Sequence, residues 1–204
     1  YEWDTTEYVD GVYNITLVVK DMLGHTSSDT VFLYVDNTVP SAEITSPVDG
    51  ELVSGVINIT FNYYDANLDK AYLIVNGSWI DVTGSYNYLL DTTTLPDAPL
   101  NITLYVVDIA GNSYSVSVIA IIDNTPPIAE IVSPVDGSWL SGIVVIELNY
   151  SDPHLDKAVL YINGTPIELA SPTYTWNTTE YLDGVYNITL EDIDLLGHRS
   201  TDTI

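Results

Sequence analysis

Apolar and polar residues alternate along much of the chain. Ile57, Ile59, Phe61 and Tyr63 are separated by Asn58, Thr60 and Asn62, and Tyr114, Val116, Val118, Ala120 and Ile122 by small or apolar residues. A period of two sends successive side chains to opposite faces of an extended backbone, so these stretches predict β-strands. No stretch carries the three- and four-residue spacing of a buried helical face. Turn signals at Asp49-Gly50, Ser54-Gly55, Asn76-Gly77, Gly84, Pro96-Asp97 and Gly111-Asn112 cut the pattern into about seven short strands per roughly 87 residues. That count predicts an all-β fold of seven-stranded sandwiches.

The pattern repeats. At a shift of 87, Asp36-Asn37-Thr38 aligns with Asp123-Asn124-Thr125, Ser46-Pro47-Val48-Asp49-Gly50 with residues 133–137, and Leu68-Asp69-Lys70-Ala71 with residues 155–158. At a shift of 173, Trp3-Asp4-Thr5-Thr6-Glu7-Tyr8 aligns with Trp176-Asn177-Thr178-Thr179-Glu180-Tyr181, and residues 11–17 with 184–190. The chain is therefore a tandem array. Its phase predicts the C-terminal half of a repeat over 1–38, a complete repeat over 39–125, and a repeat lacking most of its last strand over 126–204. The two partial ends duplicate each other and cannot be complementary halves. We therefore expect a window on a longer chain, in which earlier sequence covers the sheet edge that the opening segment would otherwise expose. Tyr13 and its equivalent Tyr186 stand just before an alternating strand, where a tyrosine corner would anchor the turn; Leu100 takes that place in the middle repeat.

Charge narrows the function classes. Asp and Glu outnumber Lys and Arg by 29 to 4, giving a net charge of −25 over 204 residues. Such a polyanion repels phosphate backbones and anionic headgroups, so nucleic-acid and membrane-surface binding are poor expectations. The longest purely apolar run, Val118 to Ile122, is too short to cross a bilayer, so no direct membrane insertion is expected of these residues. With no Cys, disulfides, zinc-thiolate sites and thiol nucleophiles are excluded.

The Asp-Asn-Thr-Pro-Pro junction, the Ser-Pro-Val-Asp-Gly turn, the Leu-Asp-Lys-Ala strand, the Asn-Gly hairpin and the Asp-x-x-Gly-Asn loop recur in one order over essentially the whole chain. In this they resemble the Ig-like and fibronectin-III-like repeats of large archaeal and bacterial cell-surface proteins. The resemblance implies tandem Ig-like/fibronectin-III-like sandwiches serving as spacers, stalks, adhesin rods or filament subunits. Fold likeness does not choose among these roles.

Two groups of residues are candidates for added chemistry. Asn-x-Ser/Thr sequons occur at Asn14, Asn58, Asn76, Asn101, Asn149, Asn163, Asn177 and Asn187, eight against roughly 2.7 expected by chance from the composition. With Tyr13, Ile15 and Leu17 inward, Asn14 and Thr16 point to solvent, where a transferase could add covalent N-glycans. The plainer account makes these ordinary outward strand residues and Asn76-Gly77 a type I′ turn. The second group is a candidate Ca2+ site, for which Asp and Asn oxygens are suitable ligands. Asp36, Asn37, Asp123 and Asn124 end strands at the repeat junctions, and the loops of Asp21, Asp108 and Asp194 are placed at the same end. Asp65-x-Asn67-x-Asp69 is a separate candidate with the alternate spacing of calcium loops, but without the Gly and distal Glu of an EF-hand. Its equivalent, Asp152-Pro153-His154-Leu155-Asp156, is a poorer ligand set. The competing account makes the same residues metal-free Asx turns.

Catalysis finds no support. His25 and His198 occupy the position of Asn112, His154 lies in a Pro-containing turn, and none has a repeated nucleophile or base partner. No nucleophile elbow, phosphate loop or zinc-helix motif is present. Trp3 and Trp176 are repeat equivalents matched by Leu90 and read as core, whereas Trp79 and Trp139 are expected to be exposed. Asp192 aligns with the inward Val19 and Val106, where an unpaired carboxylate is costly. A shifted strand, a partner for the charge, or a misassigned position would each account for it.

These observations converge on a non-catalytic extracellular structural array whose partners are neighbouring repeats or other copies, and surface glycans. The abundance of sequons favours an archaeal over a bacterial source. A carbohydrate- or ligand-binding module, expected to show an aromatic platform around Trp79 or Trp139, and a spacer of a surface protease are the alternatives.

Overall fold

The computed structural model describes residues 1–204. Seventeen strands and three single 3-10 turns form it, with no α-helix. They are β1 (Gly11–Lys20), β2 (Thr26–Val35), β3 (Ser41–Ser46), β4 (Leu52–Val53), β5 (Val56–Tyr64), β6 (Leu68–Val75), β7 (Ser78–Asp81), β8 (Asn87–Asp91), β9 (Pro99–Asp108) and β10 (Ser113–Ile122). The remainder are β11 (Ile128–Ser133), β12 (Ile143–Ser151), β13 (Leu155–Ile162), β14 (Thr165–Glu168), β15 (Thr173–Asn177), β16 (Ile188–Asp194) and β17 (Arg199–Thr203). The all-β expectation holds.

Two compact units are formed. Unit 1 comprises Tyr1–Glu51, Val56–Asp91 and Pro99–Ile121; unit 2 comprises Leu52–Gly55, Thr92–Ala98 and Ile122–Ile204. In unit 1, β3-β5-β8 forms one sheet and β10-β9-β6-β7 the other. Ile59, Phe61, Leu73, Ile102, Leu104 and Val106 are almost wholly buried, all at the inward positions of the period-two pattern. In unit 2, β11-β12-β15 and β14-β13-β16-β17 repeat the same strand orders. Their core is built from Ile131, Ile146, Leu148, Leu160, Ile162, Trp176, Ile188 and Leu190.

Between 39 and 125 the strands number eight where the turn signals predict about seven, because the first strand is broken. β3 pairs with β5, the chain turns through Asp49-Gly50, and the two-residue β4 that follows falls in unit 2. The turn is tied down by Asp49, whose carboxylate accepts from the Ile119 N–H at 2.9 Å. The small segments 52–55 and 92–98 are drawn into unit 2 by Asn124, whose Oδ1 accepts from Gly55 N–H at 2.8 Å and whose backbone N–H donates to Asp97 at 2.8 Å.

β1 and β2 form a ten-pair antiparallel ribbon. Alternation predicts Ile15 and Leu17 inward, yet Leu17 is 65% exposed and Ile15 44%. No second sheet lies over this ribbon, so its apolar face stays wet.

Candidate functional site

The ends of β2 and β10 open into the same arrangement. Asp36 follows β2, and its carboxylate lies within 4.8 Å of those of Asp65 and Asp108 in unit 1. Asp123 follows β10, and in unit 2 it lies within that distance of Asp152 and His154 and of Asp194 and His198. These are equivalent positions one repeat apart, so the junction and the Asp65 loop, separate in the sequence, meet at one place.

Each carboxylate already has donors. In unit 1 the Asn67 amide donates to Asp36 Oδ2 at 2.7 Å, and the Asn112 amide donates to Asp108 Oδ2 at 2.7 Å and to the Asp36 carbonyl at 3.0 Å. In unit 2 histidine replaces both asparagines. His154 Nδ1 meets Asp123 Oδ2 at 2.7 Å, and His198 Nδ1 meets Asp194 Oδ2 at 2.6 Å. A carboxylate only accepts, so the ring nitrogens donate. Burial would push Asp194 up, but the His198 ring and the His198 and Leu196 backbone N–H groups hold it below the usual carboxylate range.

Aspartates of both clusters also close their own turns through Oδ1: Asp65 accepts from Asn67 N–H at 2.7 Å, Asp152 from His154 N–H at 2.6 Å, and Asp108 from Asn112 N–H at 2.8 Å. Hydrogen bonding thus accounts for these carboxylates as Asx-turn residues. The donor sets differ in character. The unit 1 cluster offers carboxylate oxygens, suited to a hard cation such as Ca2+, while the unit 2 cluster adds imidazole, suited to softer divalent metals.

Other expected ligands lie elsewhere. Asn37 and Asn124 turn away from their neighbouring aspartates: the Asn37 amide donates to the carbonyls of Thr5 and Tyr8, and the Asn124 amide to that of Thr92. Asp69 is an exposed residue of β6 outside the carboxylate trio. Asp21 is exposed and closes its turn on His25, whose ring and backbone N–H pull its carboxyl below the ordinary range. The signal that could have joined Asp65 to Asp36 is the shared period of 87, since both have aspartate equivalents at Asp152 and Asp123.

Seven sequon asparagines are exposed: Asn14, Asn58, Asn76, Asn101, Asn149, Asn163 and Asn187. Asn177 is half-buried, and its side chain caps the turn Thr178–Glu180, accepting from Thr179 and donating to Glu180. Asn76 and Asn163 have φ of 49° and 48°, followed by Gly at 77° and 79°, the positive pair of a type I′ hairpin turn.

Of the two tryptophans expected in the core, Trp176 is there and Trp3 is only half-buried. Trp176 is buried and packs edge-on against Tyr181 and Tyr186, and Trp3 is half-buried in the same relation to Tyr8 and Tyr13. Tyr13 and Tyr186 each donate to the carbonyl four residues upstream, Val9 and Leu182, at 2.8 Å, closing tyrosine corners. Trp79 and Trp139 are exposed.

Asp192 is neither shifted nor partnered. It stands between Ala158 of β13 and Ser200 of β17 in unbroken register, fully buried, with both carboxylate oxygens lacking a hydrogen bond. Burial pushes its carboxyl up to about 7.

A family model described as bacterial Ig domain matches residues 40–118 and 127–190. The chain belongs to this bacterial Ig-domain family. Each match lies within one period of the internal repeat. Among solved structures, it is similar to the fibronectin(III)-like modules of Clostridium thermocellum CbhA, at 18% identity over 80% of this chain and 91% of that one, TM-score 0.44. A 1.5-MDa bacterial ice-binding adhesin matches at 14% identity over 98% of this chain and 74% of that one, TM-score 0.39. A tetra-tandem repeat from the extending region of a large adhesion protein matches at 16% identity over 97% of this chain, which spans 56% of that structure, TM-score 0.37. No curated protein matches. No helix is long and apolar enough to cross a membrane.

Proposed function

We propose that this Ig-domain chain is a non-catalytic architectural segment of an extracellular surface protein, with a complete repeat over 39–125 flanked by parts of two others. Its work is to space and orient, as in a stalk, an adhesin arm or a filament, and its partners are neighbouring repeats. The observation that carries this reading is a fastening that recurs one period apart. Asp10 accepts from the Asn37 N–H at 2.7 Å and from the Thr38 hydroxyl; Asp97 accepts from the Asn124 N–H at 2.8 Å and from the Thr125 hydroxyl at 2.5 Å. Immediately before it, Asp36 is bonded by Asn67 and Asp123 by His154. Each strand end is thus tied both backward and forward across a short Pro-bearing linker, which limits its freedom. What recurs is the fastening, while the histidines that could do acid–base chemistry vary between copies. A spacer needs the former and an active site the latter.

The exposed sequons support an N-glycosylated surface in the same reading. The test is on the native source. Antibody against residues 39–125 is expected to label intact cells, and mass spectrometry of peptides containing Asn14, Asn101 and Asn187 is expected to find hexose-bearing additions. Labelling only after lysis would end the extracellular reading; bare peptides would end the glycoprotein part of it.

A further inference from the structure

We propose that the outer face of the β7-β6-β9 sheet is a binding platform for an external neutral polysaccharide of pyranose units, centred on Trp79. Trp79 pairs with Ile74 across β7 and β6 and is 59% exposed. Tyr72 and Tyr105, opposite each other on β6 and β9, present half-buried rings to it. Both ring centroids lie 5.5 Å from the indole, at interplanar angles of 69° and 68°. Such near-perpendicular contacts hold the indole in place without stacking a ring over it. Three aromatic side chains from three adjacent strands therefore make one braced surface.

The sandwich does not require that surface. At the equivalent positions of unit 2 stand Val159, Pro166 and Glu191, and the same strand orders form around them. Trp79 adds nothing to the core, whose inward positions Leu73, Ile102 and Leu104 are fully buried beneath the other face. An exposed aromatic cluster that the fold can omit is a contact surface.

Charge and the surrounding groups select the ligand. A chain of net charge −25 repels uronic-acid and sulfated glycans. Beside the platform, Asp81, opposite Tyr72, is matched by Lys70 at 2.9 Å, so the local charge is balanced. Hydroxyls flank the other side: Thr103 bonds Ser117 at 2.8 Å, and the exposed Ser115 lies opposite Tyr105. An indole face carries negative potential and attracts the polarised C–H groups on the face of a pyranose ring, while nearby hydroxyls and a balanced ion pair can exchange hydrogen bonds with sugar hydroxyls. An apolar centre with a polar border of balanced charge fits a neutral saccharide.

The test uses the unglycosylated 204-residue chain, so that no glycan of its own is present. Cellohexaose, mannohexaose, xylohexaose and an alginate hexamer would each be titrated by calorimetry up to roughly 5 mM, within the weak range accessible to a small site. At least one neutral hexasaccharide is expected to bind and alginate is not. Trp79→Ala is expected to weaken binding by about tenfold or more, Trp79→Tyr to retain part of it, and Trp139→Ala to leave it unchanged. Because Trp79 lies outside the core, circular dichroism of Trp79→Ala should match the parent. Absence of binding by every neutral probe, equal binding of alginate, or an unchanged affinity in Trp79→Ala would overturn the proposal.

Discussion

β9 and β16 are the same strand in two copies, and they treat carboxylates differently. β9 runs Val106, Val107, Asp108 and β16 runs Asp192, Ile193, Asp194. The final aspartate is buried in both and surrounded by N–H donors from the following loop. Two residues earlier, unit 1 has a valine and unit 2 a carboxyl group with no hydrogen-bond partner. Burial by itself is therefore tolerable for a carboxylate when the loop supplies donors. Without them its cost falls on the charged form, and the proton stays on until near neutrality.

The sharpest way to break this comparison is Asp192→Val, which makes β16 resemble β9. The folded pKa of Asp192 is raised from 3.8 to about 7, so the folded state holds a proton that the unfolded chain has released across that window. Stability of unit 2 should accordingly fall as pH rises from about 4 to about 7 and then level, a loss of about 4 kcal/mol. Urea unfolding followed by Trp176 fluorescence should show that slope in the parent and lose it in Asp192→Val, with the variant the more stable at pH 8. A parent whose midpoint does not move across the window would show that the buried carboxyl finds a partner in solution.

Removing the satisfied carboxylates should cost less. Asp194→Ala leaves the Leu196 and His198 N–H groups and the His198 ring without their acceptor, and Asp108→Ala does the same to Asn112; each should destabilise its unit by about 2–3 kcal/mol. Asp21→Ala removes the same turn contacts in the exposed β1-β2 ribbon and should cost clearly less, because water replaces the lost bonds. Equal losses at Asp21 and Asp108 in chemical denaturation would show that burial does not set the difference.

The smallest effect is expected at the tyrosine corner. Tyr186→Phe deletes one hydroxyl donating to the Leu182 carbonyl and should lower stability by about 1 kcal/mol. The ring's packing on Trp176 is kept, so the fluorescence of the folded state should be nearly unchanged.

Much of this molecule was legible beforehand. The alternation of Ile57 to Tyr63 placed Ile59, Phe61 and Tyr63 inward as found, and Asn76-Gly77 marked a hairpin turn with positive φ at both residues. The position before the alternating strand marked Tyr13 and Tyr186 as corner residues, because that geometry depends on local chain direction. Harder to read was the break of the first strand into β3 and β4, since the limits of a strand depend on the partners that folding supplies. The meeting of Asp36 with Asp65 and Asp108 was only half visible, because loops distant in sequence converge only after the strands pair.

The sequence by itself determined strand identity, the repeat period and the turn chemistry, all of which rest on local conformation and spacing. Tertiary structure decided what each face meets. Leu17 and Leu104 occupy equivalent positions, yet one is largely exposed and the other fully buried, because only one has a second sheet above it. Trp79, Tyr72 and Tyr105 are likewise distant in the chain and adjacent only across three paired strands. Whether Asp192 had a partner could not be read from alternation, which specifies the face of a residue but not the donors around it.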